Sequence, residues 1–168
     1  MVLNYKIFFI IIIIFAGFNP LLSKESTLPY CKNSKMKNNC YAEVKNKYFF
    51  YKGEFLNNKP HGYGFMKIFS DPKGNKYNSG STYEGYWKNG LAHGQGRRVW
   101  NDGLVYDGQW LNDQMSGEGK LYDSSGNLVY KGPFKNSRQN GYGICIQNKV
   151  SYSCNYIDGK LKSYKKLN

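Results

Sequence analysis

The side chains best suited to acid–base or metal chemistry in this 168-residue chain are its two histidines, His61 and His93. Each precedes a pair of glycines, in HGYG and HGQG, and Ser116 and Asn140 hold the equivalent positions in later copies of the same pattern. A residue that recurs by position more often serves structure, here a hydrogen bond across a turn. The GxG pairs lack the third glycine of a dinucleotide site and the lysine of a phosphate loop, and no hydrolase or zinc-protease motif is present. We therefore predict a non-enzymatic protein without a cofactor.

The four cysteines form two pairs with the same spacing, since Cys31 and Cys40 are nine residues apart, as are Cys145 and Cys154. Structural zinc sites use closer CxxC pairs, so this spacing does not predict a metal centre. In an exported chain, an even number of cysteines indicates disulfides. Of the three possible connectivities we favour Cys31–Cys40 with Cys145–Cys154, which places one bridge near each end of the domain.

Basic residues give the chain a formal net charge of +13 and are concentrated towards its two ends. The last nine residues, KLKSYKKLN, contain four lysines and no acid. Near a membrane, such a cluster can bind anionic lipid head groups, with each charge contributing on the order of 1 kcal/mol. We therefore name Lys160, Lys162, Lys165 and Lys166 as candidate anion-binding residues, with a solvated tail as the simpler alternative. No nucleic-acid partner is expected, because the aromatic residues that could stack on bases belong to a repeating core pattern.

The N-terminus has the organisation of a secretory signal peptide. Lys6 precedes a twelve-residue apolar run from Ile7 to Phe18. A membrane-spanning helix needs about 20 apolar residues, and Asn19 and Pro20 end this run early. We predict a signal peptide over residues 1–23 and a secreted, periplasmic or cell-envelope protein, with an uncleaved N-terminal membrane anchor as the alternative.

A pattern of aromatic residues and glycines organises the rest of the chain. Its clearest copy is YEGYWKNGLAHGQG at residues 83–96, and other copies start at residues 51, 106 and 130. A fifth, degraded copy starts at Tyr152, with Cys154 in place of its first glycine. Self-similarity of this kind predicts a repeat architecture. The first interval is longer than the others, and its Pro, Gly, Asn and Ser content predicts an extended loop over residues 70–82.

The copies divide the chain into four parts. Residues 1–23 are the signal peptide, and residues 24–50 form a degenerate half-repeat that caps the array. Residues 51–151 contain four repeats, and residues 152–168 contain a degenerate fifth repeat and a basic C-terminal tail. Aligned on the repeat, Cys31 falls at the position of Trp87 and Cys40 at that of Gly96, so each disulfide would join neighbouring strands of one hairpin.

Alternation within one copy predicts a β-strand. Tyr83, Gly85 and Trp87 would point to one face of the strand, and the residues between them to the other. The glycine leaves a groove in which rings of the neighbouring strand can lie. A second strand is expected from the paired glycines onward, at Gly94 to Trp100, and NG and DG steps supply the positive φ angles of tight turns. The chain therefore predicts an all-β fold of tandem antiparallel hairpins in one elongated, twisted sheet.

The predicted core of this sheet consists of the aromatic and paired-glycine positions of the four complete copies. They are Tyr51, Gly53, Phe55, Gly62, Gly64, Tyr83, Gly85, Trp87, Gly94, Gly96, Tyr106, Gly108, Trp110, Gly117, Gly119, Tyr130, Gly132, Phe134, Gly141 and Gly143.

The pattern resembles the MORN repeat, whose consensus is close to Y-x-G-x-W/F-x-x-G-x-x-x-G-x-G, over about residues 51–159. Asn58, Asp113 and Ser137 depart from it, because they replace the single glycine that follows the aromatic residue. Pro133 departs as well, and since proline has no backbone N–H, its amide is expected to face a loop or an unpaired position.

The resemblance implies a scaffold or a membrane-binding surface, because MORN arrays elsewhere occur in junctional membrane proteins, lipid kinases and cytoskeletal scaffolds. We predict an exported, non-enzymatic interaction scaffold whose protein partner is unknown. It would use the sheet face, an unpaired sheet edge or the loop around residues 73–78. Peripheral binding to anionic phospholipid through the terminal lysines is the first alternative, and an exported effector acting on a host is a weaker one.

Overall fold

The computed structural model describes residues 26–32, 35–71, 73–74 and 78–168. The predicted signal peptide lies outside these residues, as does part of the loop around residues 73–78. The described residues form one antiparallel sheet of twelve strands and contain no helix. None of them therefore belongs to a helix that could cross a membrane. The predicted all-β fold of tandem hairpins is confirmed.

The strands follow one another across the sheet in chain order, except that the two-residue β9 pairs with β8 beside β10. They are β1 (Cys40–Lys45), β2 (Phe49–Leu56), β3 (Lys59–Ile68), β4 (Thr82–Lys88), β5 (Leu91–Val99), β6 (Val105–Leu111), β7 (Gln114–Tyr122), β8 (Leu128–Lys135), β9 (Arg138–Gln139), β10 (Gly141–Gln147), β11 (Val150–Ile157) and β12 (Lys160–Lys166).

Two-residue turns close the five hairpins along one side of the sheet. Both central residues of each turn have positive φ, which is the geometry of a type I′ turn, whose twist matches that of the flanking strands. Asparagine and aspartate tolerate this left-handed conformation better than most residues, which explains why one of them opens every turn. The turns are Asn57-Asn58, Asn89-Gly90, Asn112-Asp113, Asn136-Ser137 and Asp158-Gly159.

These short turns move the start of each second strand. β5 begins at Leu91, and not at Gly94 as predicted, because Asn89 and Gly90 complete the turn alone. Gly94 lies instead in a bulge, where the register between β4 and β5 shifts and its φ is 73°. Glycine suits this position because a bulged residue in the left-handed region carries no side-chain penalty. In the fourth repeat, the break between β9 and β10 occupies the same place as this bulge. Pro133 lies opposite the break and has no register partner on β9 or β10. This fits the unpaired position predicted for its amide.

The residues that replace the consensus turn glycine connect each hairpin to the preceding segment. The backbone N–H of Asp113 donates to the carbonyl oxygen of Ala92 at 3.0 Å, and the Asp113 carboxylate accepts from the Ala92 N–H at 2.7 Å. Both polar groups of Ala92 are thereby satisfied. Equivalent reciprocal pairs join Asn58 to Lys37 and Ser137 to Met115.

Two turns keep the glycine, Gly90 and Gly159, and the first of them bonds to a proline. Gly90 donates its N–H to the carbonyl oxygen of Pro60 at 2.8 Å. Pro60 has no N–H to offer in return, so a side-chain acceptor at position 90 would have no donor to bind. Hydrogen bonding between successive repeats therefore accounts for the glycine at position 90 and for the polar residues Asn58, Asp113 and Ser137. Gly159 donates its N–H to the carbonyl oxygen of Gln139 at 2.9 Å, and this rule does not explain its glycine.

We expect Asp113→Ala to lower the free energy of unfolding by about 2–3 kcal/mol. It removes the charge-assisted bond to the Ala92 N–H and places alanine at a φ of 67°. Asp113→Asn is the matched control, because asparagine keeps an acceptor oxygen and tolerates the turn, and it should cost about 0.5 kcal/mol or less. Urea denaturation measures both variants, and equal losses for Ala and Asn would contradict this role.

The N-terminal cap differs from its predicted alignment. Ala42, and not Cys40, lies opposite Gly53, so Cys40 takes the position of the first paired glycine and faces Phe55. Cys31 belongs to no strand. Its disulfide with Cys40 therefore ties an N-terminal segment to β1 and does not join two strands of one hairpin. The alignment was wrong by two residues because this segment lacks the glycines that fix register elsewhere.

The C-terminal end keeps more of the predicted arrangement. The second disulfide joins Cys145 on β10 to Cys154 on β11, and Cys154 lies opposite Gly143, as its place in the repeat predicted. The segment predicted as a basic tail is instead strand β12, which pairs with β11 along its length.

Candidate interaction surfaces

The aromatic residues of the repeats close one face of the sheet, which we call the aromatic face. The ring of Tyr83 packs edge to face against Trp87 and Trp110, with centroids 4.9 and 5.3 Å away. Perpendicular pairs of this kind continue along the array from Phe55 to Tyr156. Edge-to-face contacts add to the stabilisation from buried area. All eight predicted aromatic core residues are buried by this packing.

Each repeat tyrosine lies across a glycine of the next strand. Tyr83 covers Gly96, and its hydroxyl donates to the carbonyl oxygen of Tyr86 at 3.0 Å. The indole Nε1 of Trp110 donates to the carbonyl oxygen of Gly96 at 3.0 Å. Register pairing aligns seven of the predicted core glycines in one row under the rings: Gly53, Gly64, Gly85, Gly96, Gly108, Gly119 and Gly132. Gly143 continues the row, because its Cα lies next to Gly132. The aromatic face is thus occupied by the protein's own packing.

The structure places His61 on β3 and His93 on β5. The Nδ1 atoms of His61 and His93 are buried and make no hydrogen bond with the described residues, so the bond predicted across a turn is not made by these atoms. Within the described ranges, no three His, Cys, Asp or Glu side chains are grouped to hold a metal ion.

The opposite face, which we call the open face, carries an aromatic cluster over the first two hairpins. Phe50 packs on Phe65 with centroids 6.5 Å apart, and Tyr63 packs edge to face on Tyr86 at 5.4 Å. The Tyr63 hydroxyl donates to a carboxylate oxygen of Glu84 at 3.1 Å. Burial, reinforced by the Glu84 charge, raises the pKa of Tyr63 to about 12. Tyr86 remains 39% exposed, so this cluster is accessible to a partner.

A row of alternating charges crosses the centre of the open face. Glu84 lies opposite Arg97, Arg97 opposite Asp107, and Asp107 opposite Lys120. Opposite charges on facing positions stabilise a sheet. The row ends in a like-charged pair, because Lys120 lies opposite Lys131. Sequence reasoning missed this row and the aromatic cluster, although their signal was present in the residues between the repeat-core positions.

Arg98 anchors the extended loop that sequence analysis predicted over residues 70–82. Its guanidinium donates to the Asn78 side-chain oxygen at 2.7 Å and to the Ser81 hydroxyl at 3.3 Å, and it lies 5.2 Å from the centre of the Trp100 ring. Burial lowers the pKa of Arg98. The Asn78 amide also donates to Asp71 at 2.6 Å and lowers the pKa of that carboxyl. The described part of the loop is therefore held against the sheet.

The four candidate lysines come together on β12, the last strand of the sheet. Every residue of β12 is exposed. Lys166 lies opposite Tyr152 on the aromatic side, whereas Lys165 lies opposite Ser153 on the open side. None of the four ammonium groups is in an ion pair with a described residue.

A comparison with protein families identifies the repeat. The family model described as MORN repeat matches four stretches, residues 51–68, 83–105, 106–128 and 130–148. These stretches coincide with the four complete copies that the sequence predicted. No curated protein matches the chain in sequence.

Proposed function

This chain is a MORN-repeat protein, and we propose that it acts as a non-enzymatic scaffold that binds a protein partner through the open face of its sheet. The repeat architecture is consistent with a binding or interaction module, and MORN-repeat proteins are generally non-catalytic. The observation that carries the proposal is the contrast between the two faces. The aromatic face is filled by its own rings, while no described element lies over the open face.

The composition of the open face supports a protein partner. Tyrosine and arginine are enriched at protein interfaces, because they combine apolar contact area with directional hydrogen bonds. Tyr86 and Arg97 lie on this face beside a row of alternating charges. Charge rows favour partners with the complementary pattern and exclude others.

Site-specific photo-crosslinking in the native cell tests this proposal. A photoreactive phenylalanine analogue at Tyr86 should give discrete crosslinked products. The same group at Ser125, in the exposed loop between β7 and β8, is the matched control and should not. Arg97→Glu should then weaken binding of the crosslinked partner by about tenfold or more, because it reverses one charge of the row. Absence of products from Tyr86, or the same products from both positions, would remove the open face as the binding surface.

We also propose that the protein works outside the cytoplasm. Two disulfide-bonded pairs are consistent with an oxidising compartment, where such bonds persist. The predicted signal peptide, residues 1–23, would direct the export of the protein from the cytoplasm. N-terminal sequencing of the protein recovered from the cell exterior should start near residue 24, and a protein that retains residues 1–23 would favour an uncleaved anchor.

A second candidate function is peripheral binding to anionic membranes through β12, because its four lysines are exposed and lack partners among the described residues. Flotation with vesicles tests it. The protein should float with phosphatidylserine-containing vesicles and not with neutral ones, and binding should fall steeply with salt. Replacing Lys160, Lys162, Lys165 and Lys166 by Gln should abolish flotation.

A control with the same change in net charge replaces the exposed Lys59, Lys67, Lys73 and Lys88 by Gln. This control should leave flotation intact. Failure of the unmodified protein to bind anionic vesicles at low salt would exclude the membrane function.

A further inference from the structure

One edge strand of the sheet, β1, is covered by another segment of the chain, whereas the other edge strand, β12, is not covered by a described residue. At β1, the Cys31 N–H donates to the carbonyl oxygen of Tyr41 at 2.8 Å, and the Tyr41 N–H donates to that of Pro29 at 2.9 Å. The Cys31–Cys40 disulfide fixes this covering segment to β1. At β12, no described residue pairs with the outer side of the strand. An edge strand with unpaired N–H and C=O groups can accept a further strand, so β12 is the edge at which this sheet can grow.

Hydrogen bonding to β11 shows which groups of β12 are available. The Leu167 N–H donates to the carbonyl oxygen of Ser151. In an antiparallel pair every second residue bonds inward, so Lys165 and Ser163 turn their backbone groups towards β11. Tyr164 and Lys166 therefore turn theirs outward, where an incoming strand could bind them.

The positive charge of β12 favours an acidic strand as the one that could be added. Four of its seven residues are lysines, and neither β11 nor β12 contains an acidic residue. A second copy of β12 would bring eight lysines together, and like charges on facing strands destabilise the pairing. A strand rich in Asp and Glu would instead place carboxylates beside the lysines.

The apolar residues of β12 add a second requirement. Leu161 lies opposite Tyr156, and Tyr164 lies opposite Cys154, so both extend the aromatic side of the sheet. Tyr164 packs edge to face on Tyr152 at 5.8 Å but remains 69% exposed. The row of packed rings thus ends in an uncovered ring. An apolar side chain on an added strand would cover it.

The positions of the lysines on both sides of the sheet favour an added strand over a membrane as the ligand of β12. Lys165 and Lys166 point to opposite sides of the sheet. A membrane lying against either face meets only some of the lysines and covers no backbone group at the edge. The side chains of an added strand also point to both sides, so its acidic residues can lie beside Lys165 on the open side while its apolar residues lie beside Leu161 and Tyr164 on the aromatic side.

We propose that β12 binds an extended acidic peptide by strand addition, with acidic residues alternating with apolar ones. This inference deepens the proposed scaffold function by naming a class of protein ligand. It uses a different surface from Tyr86, so its failure would leave the crosslinking result on the open face unchanged.

Binding of a designed peptide to the full chain tests the proposal. The probe is fluorescein-labelled Glu-Val-Glu-Tyr-Glu-Val-Glu, which matches β12 in length. It should bind by fluorescence anisotropy. Replacing the four β12 lysines by Gln should weaken binding by about tenfold or more, and the control with Gln at Lys59, Lys67, Lys73 and Lys88 should bind like the unmodified chain.

A second probe separates strand addition from simple charge attraction. It has the same sequence, with N-methyl groups on the backbone nitrogens that point to either edge of the peptide strand. It should not bind, because these groups remove the N–H donors that would pair with β12. The unmethylated peptide should slow amide hydrogen exchange at Tyr164 and Lys166. Lack of binding at low salt, equal binding of the methylated probe, or unchanged exchange at these amides would overturn the proposal. Lysine-dependent binding to anionic vesicles without peptide binding would assign β12 to a membrane instead.

Discussion

Gly96→Ala is expected to lower the free energy of unfolding by about 3–5 kcal/mol, because it forces a ring of the aromatic face out of place. A Cβ atom at Gly96 would lie 2.5 Å from Cζ of Tyr83, closer than carbon atoms can approach. The ring would have to move away from Trp87 and Trp110, with which it makes edge-to-face contacts. The backbone itself is not the obstacle, since Gly96 does not have a positive φ.

The matched control is Gly126→Ala, where the backbone conformation disfavours alanine but no neighbouring side chain is in the way. Gly126 has a φ of 82°, but a Cβ there would meet nothing within 4 Å. Only the backbone penalty applies, and the expected loss is about 1 kcal/mol. Urea denaturation compares the two variants. Similar losses at both sites would show that the ring contact is not the main cause of the destabilisation at Gly96.

A double variant tests the mechanism directly. If the clash with Tyr83 causes the loss at Gly96, then Tyr83→Ala should make the second change, Gly96→Ala, nearly free of further cost. The two losses should therefore add to much more than the loss of the double variant. Full additivity would mean that Gly96 acts through some other contact.

The regular part of this fold could be predicted from the sequence because glycine and aromatic residues mark its register. Tyr83, Gly85 and Trp87 alternate, so the face that they share follows from strand geometry alone. The same markers identified Cys154 as the counterpart of a glycine, and the structure places it opposite Gly143. Where the markers are missing, as around Cys31 and Cys40, the predicted register was wrong by two residues.

The candidate binding surface was harder to predict because it depends on pairs between strands. Arg97 lies between Glu84 and Asp107 only when three strands are aligned. Its neighbour Arg98 points to the other face and binds Asn78, twenty residues earlier in an irregular loop. The exposed edge at β12 likewise follows from pairing with β11, which a run of lysines read as a tail does not reveal.

Raising the pH above 10 is expected to unfold the protein steeply, because its core is built on buried phenols. Burial raises the pKa of Tyr130 to about 12, and it raises the pKa of Tyr51, Tyr83 and Tyr106 further. Below pH 10, these hydroxyls are protonated in both the folded and the unfolded chain, and their stabilisation is fully present. Above pH 10, the unfolded chain loses these protons while the folded chain keeps them, so stability is lost as pH rises towards the folded pKa values.

The expected slope follows from the number of tyrosines involved. Each phenol that ionises only in the unfolded chain costs about 1.4 kcal/mol per pH unit, or roughly 5 kcal/mol per unit for the four core tyrosines. Tyr63 on the open face contributes less, because its side chain is partly exposed and solvent screens its charge. Because domains of this size are stable by roughly 5–15 kcal/mol, the fold should be lost within about one to three pH units above 10. Urea denaturation at a series of alkaline pH values measures this slope.

Removing one phenol should reduce the slope by about a quarter. Tyr106→Phe does this with little change in ring packing, since Tyr106 is fully buried. At neutral pH it should cost only about 1 kcal/mol, for the hydroxyl bond to the carbonyl oxygen of Gln109 at 2.9 Å. Tyr142→Phe is the control, because that hydroxyl belongs to a side chain 74% exposed and meets water in both states. An unchanged slope in Tyr106→Phe would mean that alkaline unfolding begins outside the tyrosine core, whereas the reduced slope would place the pH sensitivity of the whole array in the rings that cover its glycine row.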